Sequence, residues 1–112
     1  GSGIDNIYPA ENKELADSIV ESGGLLISEY PFNGLPAMTN FPLRDRIIAG
    51  LSQKLVVLEC RPNSGTYITC ALAIDGGKDV YVIPTEAKND TLMNNTLIKQ
   101  GAYMITKASD LL

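Results

Sequence analysis

The apolar positions of this chain switch between two periods, and the switch recurs along its length. From Ala10 to Glu21, Leu15, Ala16, Ile19 and Val20 fall at helical spacing, with Glu11, Lys13, Glu14 and Asp17 outside them. That pattern predicts an amphipathic helix. Gly23-Gly24 should stop it, since glycine is favoured just past a helix end. Leu25-Leu26-Ile27-Ser28 then reads as a short apolar strand. Tyr30–Asn40 carries Pro31, Asn33, Gly34 and Pro36 and reads as an irregular loop. Leu43, Ile47, Ile48 and Leu51 restore helical spacing over Leu43–Leu51.

The second half repeats the alternation. Lys54–Cys60 contains Leu55-Val56-Val57-Leu58, a run suited to burial on both faces of a parallel sheet. A turn at Pro62-Asn63-Ser64-Gly65 leads into a small-residue helix, Thr66–Asp75, closed by Gly76-Gly77. Val80–Ile83 is a further apolar strand, ended by Pro84, and Thr85–Asp90 is polar loop. Leu92–Gln100 reads as helix stopped by Gly101, Tyr103–Thr106 as a last strand, and Ser109 as the cap of a final turn through Leu112. Strand and helix in strict order imply right-handed crossovers and an α/β fold: three layers, with a parallel sheet between helices. About four or five strands are expected, with Lys54–Cys60 and Val80–Ile83 central. A doubly wound sheet opens with a strand, yet only Ile4 and Ile7 flank Asp5-Asn6 here. Residues 1–112 are therefore expected to form one domain that lacks its N-terminal portion.

Composition narrows the chemistry. Hydrophobic residues make up 45% and charged residues 20%, ordinary for a globular fold. No apolar run approaches the roughly 18 residues of a membrane helix, and nothing resembles a targeting segment, so a cytoplasmic setting is expected. Nine Lys and Arg against thirteen Asp and Glu give a net charge of −4. That disfavours a broad polyanion-binding surface and leaves room for a local basic site. There is no histidine, so the commonest general base is missing. Cys60 and Cys70 have no metal-ligand spacing and are expected to lie reduced in the core. No catalytic residue, metal or cofactor is assigned.

Three segments hold candidate chemistry, each at a strand end or helix start, where ligands bind in open α/β sheets. In Cys60-Arg61-Pro62-Asn63-Ser64-Gly65-Thr66, the N–H groups and hydroxyls of Ser64, Gly65 and Thr66 lie where a helix dipole favours an anion. The same residues also suit a plain N-cap. In Asn40-Phe41-Pro42-Leu43-Arg44-Asp45-Arg46, two arginines two positions apart cannot face one way on a helix. One can reach a phosphate while the other braces the fold. Phe41 suits either a base-stacking platform or a staple onto the helix. Gly1-Ser2-Gly3-Ile4-Asp5 with Tyr8-Pro9 is a weak glycine pair, open to being a cloning scar. Glu29, just after a strand, is the acid best placed for a cleft, and otherwise pairs with an arginine.

Taken in order and spacing, these segments resemble the DNA-processing protein A (DprA/Smf) family along the whole chain. The resemblance rests on Gly1–Asp5, Tyr8-Pro9 and Asn12; on Leu26–Pro31; on Asn40–Ser52 with its Phe41-Pro42-Leu43-Arg44-Asp45-Arg46 core; and on Ser64–Thr69. Ala73, Gly77–Val80, Pro84, Asn95, Leu97-Ile98 and Gly101-Ala102 complete it. It implies a Rossmann-like domain that binds single-stranded DNA, breaks no bond, and loads a RecA-type recombinase during natural transformation. It makes Gly1-Ser2-Gly3 look native, as the family's glycine-rich turn. It further implies a DNA site at Phe41, Arg44, Arg46, Ser64, Gly65 and Thr66, and a homodimer near the C-terminal edge that includes Leu97 and Ile98.

The departures are specific. Asp45 stands between two arginines where the family has asparagine, Thr85 and Met93 replace glycines, and Lys78 replaces an arginine. The family's upstream half-domain, with its glycine-serine-arginine motif, is not found before Gly1. Two other classes fit the pattern. One is a nucleotide-processing enzyme of the lysine-decarboxylase-like Rossmann group, although Asn63-Ser64-Gly65-Thr66 lacks that group's double glycine. The other is a truncated copy with only a dimerising role.

Overall fold

The computed structural model describes all 112 residues. Its contacts gather into two compact units, Gly1–Arg44 and Asp45–Leu112.

In the first unit, a 3-10 turn at Ala10–Asn12 leads into helix α1, Lys13–Glu21. A Lys13–Asp17 ion pair at 2.6 Å spans one helical turn on its exposed side. Of the predicted apolar stripe only Ala16 is buried, while Leu15, Ile19 and Val20 stay exposed. The expected strand at Leu25–Ser28 is also corrected: no ladder forms there, and Leu25 and Ile27 are open to solvent. Both results have one cause. A strand exists only through its pairing, and the first unit contains no sheet to pair this segment or to cover the helix. What orders this unit is instead a set of hydrogen bonds between its start and its loop. Gly3 N donates to Gly34 O and Asp5 N to Phe32 O, both at 2.9 Å. Ser28 Oγ donates to Ser2 O at 2.7 Å, and Asn40 Nδ2 to Gly1 O at 2.9 Å. The glycine-rich start is thus built into the unit.

Helix α2, Asn40–Leu51, begins three residues earlier than the periodicity indicates. Pro42 lies in its first turn, where a missing N–H costs nothing.

The second unit holds the sheet. Strands β1 (Lys54–Val57), β2 (Asp79–Val82) and β3 (Tyr103–Met104) pair in parallel in that order. Helix α3 (Gly65–Asp75) and helix α4 (Asn94–Lys99) make the crossovers. The α/β class and parallel sheet are as expected. The strand count is three, and β1 is an edge strand of this sheet rather than a central one. Its β-branched run looked doubly buried, but Val56 is 38% exposed and only Val57 is fully covered. The register pairs Leu55 with Val80 and Val57 with Val82, putting these four side chains on one face. There they join Cys70 and Ala73 of α3, Leu97 of α4, and Ala49 in one buried cluster. On the opposite face Tyr81 stacks on Tyr103 at 5.2 Å, with Lys54 Nζ 5.5 Å from the Tyr81 ring.

Helix α3 ends in a Schellman turn: Gly77 N donates to Ile74 O and Lys78 N to Ala73 O, both at 2.9 Å. Gly77 has φ +69°, a conformation open to glycine at little cost. The same paired bonds close α1 and α4. At the end of the chain the predicted Ser109 cap is replaced. Asp110 accepts from Thr106 N and Lys107 N, and these bonds hold its carboxyl below the usual range.

One polar side chain is sealed in the core. Asn94 is fully buried, and its Oδ1 accepts from Cys60 N at 2.9 Å. Its Nδ2 donates to Leu58 O and Ile83 O, each at 2.8 Å. Asn94 thereby ties the carboxyl ends of β1 and β2 to the start of α4. Removing it strands a buried amide and two part-buried carbonyls, so Asn94→Ala should cost about 1–3 kcal/mol. A urea titration that gives a stability within about 0.5 kcal/mol of the parent would refute this role.

Cys60 and Cys70 are free and buried, as expected. Burial pushes both thiols up, Cys70 to about 11. The raised folded-state value favours the neutral thiol, so stability is complete below the ordinary value of 9.0. It should fall as pH rises from there towards about 11, because the unfolded thiol ionises first. At about neutral pH, native protein should resist iodoacetamide, and urea-unfolded protein should take up two equivalents, one per cysteine. Rapid double labelling of the native state would contradict the packing.

Candidate nucleic-acid interface

The carboxyl end of β1 runs through Leu58–Asn63 into the first turn of α3. Asn63 adopts φ +57°, which turns the chain, and asparagine tolerates that region better than most residues. Ser64 follows as a true N-cap. Its Oγ accepts from Tyr67 N at 3.2 Å and donates to Arg61 O at 2.8 Å. The plain capping role of Ser64 is therefore present. It occupies the hydroxyl, and Gly65 and Thr66 follow it in the first turn of α3. Gly65 and Thr66 are exposed, and their N–H groups belong to the first turn, where no helical carbonyl precedes them. The helix dipole adds partial positive charge at this point.

An internal anion stands beside that charge. Asp45 is 5% exposed, and its carboxylate lies 3.8 Å from where a Cβ on Gly65 would stand. The residue that stands between the two arginines is thus buried near the α3 start. Burial of Asp45 also settles the rotation of α2. Arg44 and Arg46 lie on either side of it along the chain, about 200° apart around the axis. Arg46 is exposed and Arg44 is half-buried.

Within the first unit, the Arg44 guanidinium is 5.8 Å from the centre of the Phe41 ring, one turn earlier on α2. Tyr8 meets the same ring at 5.7 Å and 41°. A Cβ on Gly1 would come within 2.7 Å of Phe41, so the backbone is pressed against it. Phe41 is half-buried among these groups. Glu29 is exposed in the same unit.

The two residues assigned to a dimer surface separate. Leu97 is buried at 4% exposure in the core cluster, and Ile98 is half-buried beside it. Sequence patterning missed Asn94 altogether. Its neighbour Asn95 accepts from Thr85 N and donates to Thr85 O, at 3.1 and 2.9 Å. Two adjacent amides at a helix start after a strand end were the available signal. Thr85 Oγ1 itself is buried without a partner. No group of three or more His, Cys, Asp or Glu side chains is gathered to hold a metal ion. No helix is long and apolar enough to cross a membrane.

Comparison with known proteins gives a consistent answer. Protein Smf of Escherichia coli strain K12 is 38% identical over 113 aligned residues, covering 100% of this chain and 30% of that protein. DNA processing protein DprA of Streptococcus pneumoniae strain R6 is 40% identical, covering 100% of this chain and 40% of its own length. The chain thus spans well under half of either relative. Among solved structures, DNA processing protein A of S. pneumoniae superposes with a TM-score of 0.87 at 39% identity, over 98% of this chain and 39% of that one. The Helicobacter pylori protein, solved to describe its single-stranded DNA binding mode, superposes with a TM-score of 0.84 at 27% identity, over 98% and 51%. These likenesses establish the Rossmann-like fold. With the family model for DNA recombination-mediator protein A matching residues 1–112, the chain belongs to that family.

Proposed function

We propose that this chain binds single-stranded DNA without making or breaking a bond. On this proposal the protein carrying it works in the cytoplasm in DNA uptake and natural transformation, as a homodimer that loads a RecA-type recombinase. One observation carries the DNA reading: a capped, solvent-open helix start at the carboxyl end of a parallel strand, in a chain of this family. Such a start is a ready site for a phosphate. A DNA-processing role is also what the names of its relatives describe.

The proposed contacts divide by type. Gly65 and Thr66 offer backbone N–H groups to a phosphate, and Ser64 holds the turn that presents them. Arg46, exposed on α2, supplies charge directly. Arg44, lying by Phe41, supplies charge and fixes the ring on which a base stacks. Asp45 works against the phosphate by occupying part of the same positive field. For the dimer, α4 offers Ile98 at its surface, with Leu97 packing behind it.

A salt titration separates these roles. Measured by fluorescence anisotropy on a short oligothymidine, Arg44→Ala and Arg46→Ala should each weaken binding and flatten the salt slope by about 0.7. Phe41→Ala should weaken binding and leave the slope unchanged, because stacking depends little on salt. Asp45→Asn should tighten binding, while the loss of an anion near a helix start costs about 0.3–1 kcal/mol of stability. Parent-like binding by both arginine variants would remove α2 from the interface. Light scattering should give twice the monomer mass for the full-length protein, and Ile98→Asp should halve it. A monomer mass for the parent at high concentration would end the dimer proposal.

A further inference from the structure

The aromatic ring best presented to a ligand is not Phe41. Phe32 is 69% exposed, whereas Phe41 is half-buried and touched by Tyr8, Arg44 and the Gly1 backbone. An exposed phenylalanine on a slack loop would carry no meaning, but this loop is held firmly. Phe32 O accepts from Asp5 N and Gly34 O from Gly3 N, both at 2.9 Å. Gly34 N donates to Pro31 O at 2.7 Å, which closes a tight turn around Phe32. Asn6 Nδ2 donates to Asn33 O at 2.6 Å. A Cβ on Gly3 would collide with the Pro31 and Phe32 carbonyls, so the start of the chain lies directly against this turn. Bonds on either side of Phe32 therefore fix its backbone while its ring stands in solvent.

The chemistry around the ring suits a base. Residues 30–43 contain no charged side chain, although the chain as a whole carries a net charge of −4. The segment itself thus sets no carboxylate against a phosphate; exposed Asp5, whose N–H donates to Phe32 O, and Glu29 border it on one side and Arg44 on the other. Aromatic rings take any base through its π face, independently of sequence. We propose that Phe32 is a second base-stacking platform for single-stranded DNA, more open than Phe41 and fixed by the Gly3–Asp5 backbone. This rests on the single-stranded-DNA reading above. Immobilising the turn beforehand spares the ordering cost that a mobile loop would incur on binding.

The test uses the full-length protein and two probes: oligothymidine, and an abasic deoxyribose-phosphate strand of equal length. Phe32→Ala should lower affinity for oligothymidine by roughly tenfold and leave affinity for the abasic strand unchanged. Phe32→Trp should restore binding or exceed it. Photocrosslinking of an oligonucleotide carrying 5-iododeoxyuridine should place an adduct on Phe32, a result that a purely structural residue would not give. Equal losses on both probes would mean that the substitution damages the fold, and would overturn the proposal. Unchanged binding with no adduct would overturn it as well, and would leave the ring as a docking point for a protein. If the parent binds neither probe at low salt, the DNA reading itself fails and this proposal falls with it. If the parent binds both strands equally, phosphate contacts suffice and stacking is excluded.

Discussion

The second unit depends on a single amide. Parallel strands present their carboxyl ends side by side, and the carbonyls just past the last ladder bond have no partner of their own. Asn94 supplies one for each of two strands, through Leu58 O and Ile83 O, and takes up the Cys60 amide as well. In water such bonds would exchange freely for solvent. Asn94 itself is sealed from solvent, so its amide must find partners within the protein, and leaving one unmade is costlier than making it is beneficial. With the Met93 N to Cys60 O bond, this side chain ties the start of α4 to the chain after β1 and to the end of β2. The turn that leads to Ser64 starts at Cys60, so the proposed anion site inherits its position from the same residue.

That site combines opposing electrostatic demands. The first turn of α3 needs negative charge nearby for stability, and a buried Asp45 provides it. A phosphate arriving at Gly65 and Thr66 would meet a field already partly neutralised. On the proposed reading, Asp45 would favour the folded state over phosphate affinity. The neutral thiols of Cys60 and Cys70 lie close behind the same turn and add no charge to it.

How much of this was legible in the sequence follows from which interactions are local. Helix ends were legible, because Gly23, Gly77 and Gly101 each take the left-handed conformation that closes a Schellman turn. The Ser64 cap was legible for the same reason. Strands were legible only where a partner strand is present: Val80–Val82 found neighbours on both sides, whereas Leu25–Ser28 found none. Apolar periodicity records the burial a segment can support, and pairing decides whether it occurs. The central position expected for β1 failed on this point. Arg44, Arg46 and Phe41 were proposed by motif, whereas the burial of Asp45 was not foreseen, since nothing local marks a carboxylate as buried. Asn94 was invisible because its three partners lie 34, 36 and 11 residues away.

The charge balance finally limits the kind of DNA contact that the proposed function would allow. Nine cations are outnumbered by thirteen acids, and one lysine is already paired with Asp17 and another lies over Tyr81. Counterion release scales with the number of phosphates neutralised, so a few arginines give a shallow salt dependence and modest affinity on their own. The remaining affinity must come from terms that do not need net charge: backbone N–H groups at a helix start, and aromatic faces held ready by a rigid backbone. Phe41 and Phe32 are the two phenylalanines in the chain. Both are held in the first unit, one by a ring, a guanidinium and a close backbone approach, the other by hydrogen bonds flanking its peptide group. On the proposed reading, exposed aromatic faces would favour single strands over duplex by access to the base face. A duplex keeps those faces stacked inside, so it could use only the weak ionic part of the surface.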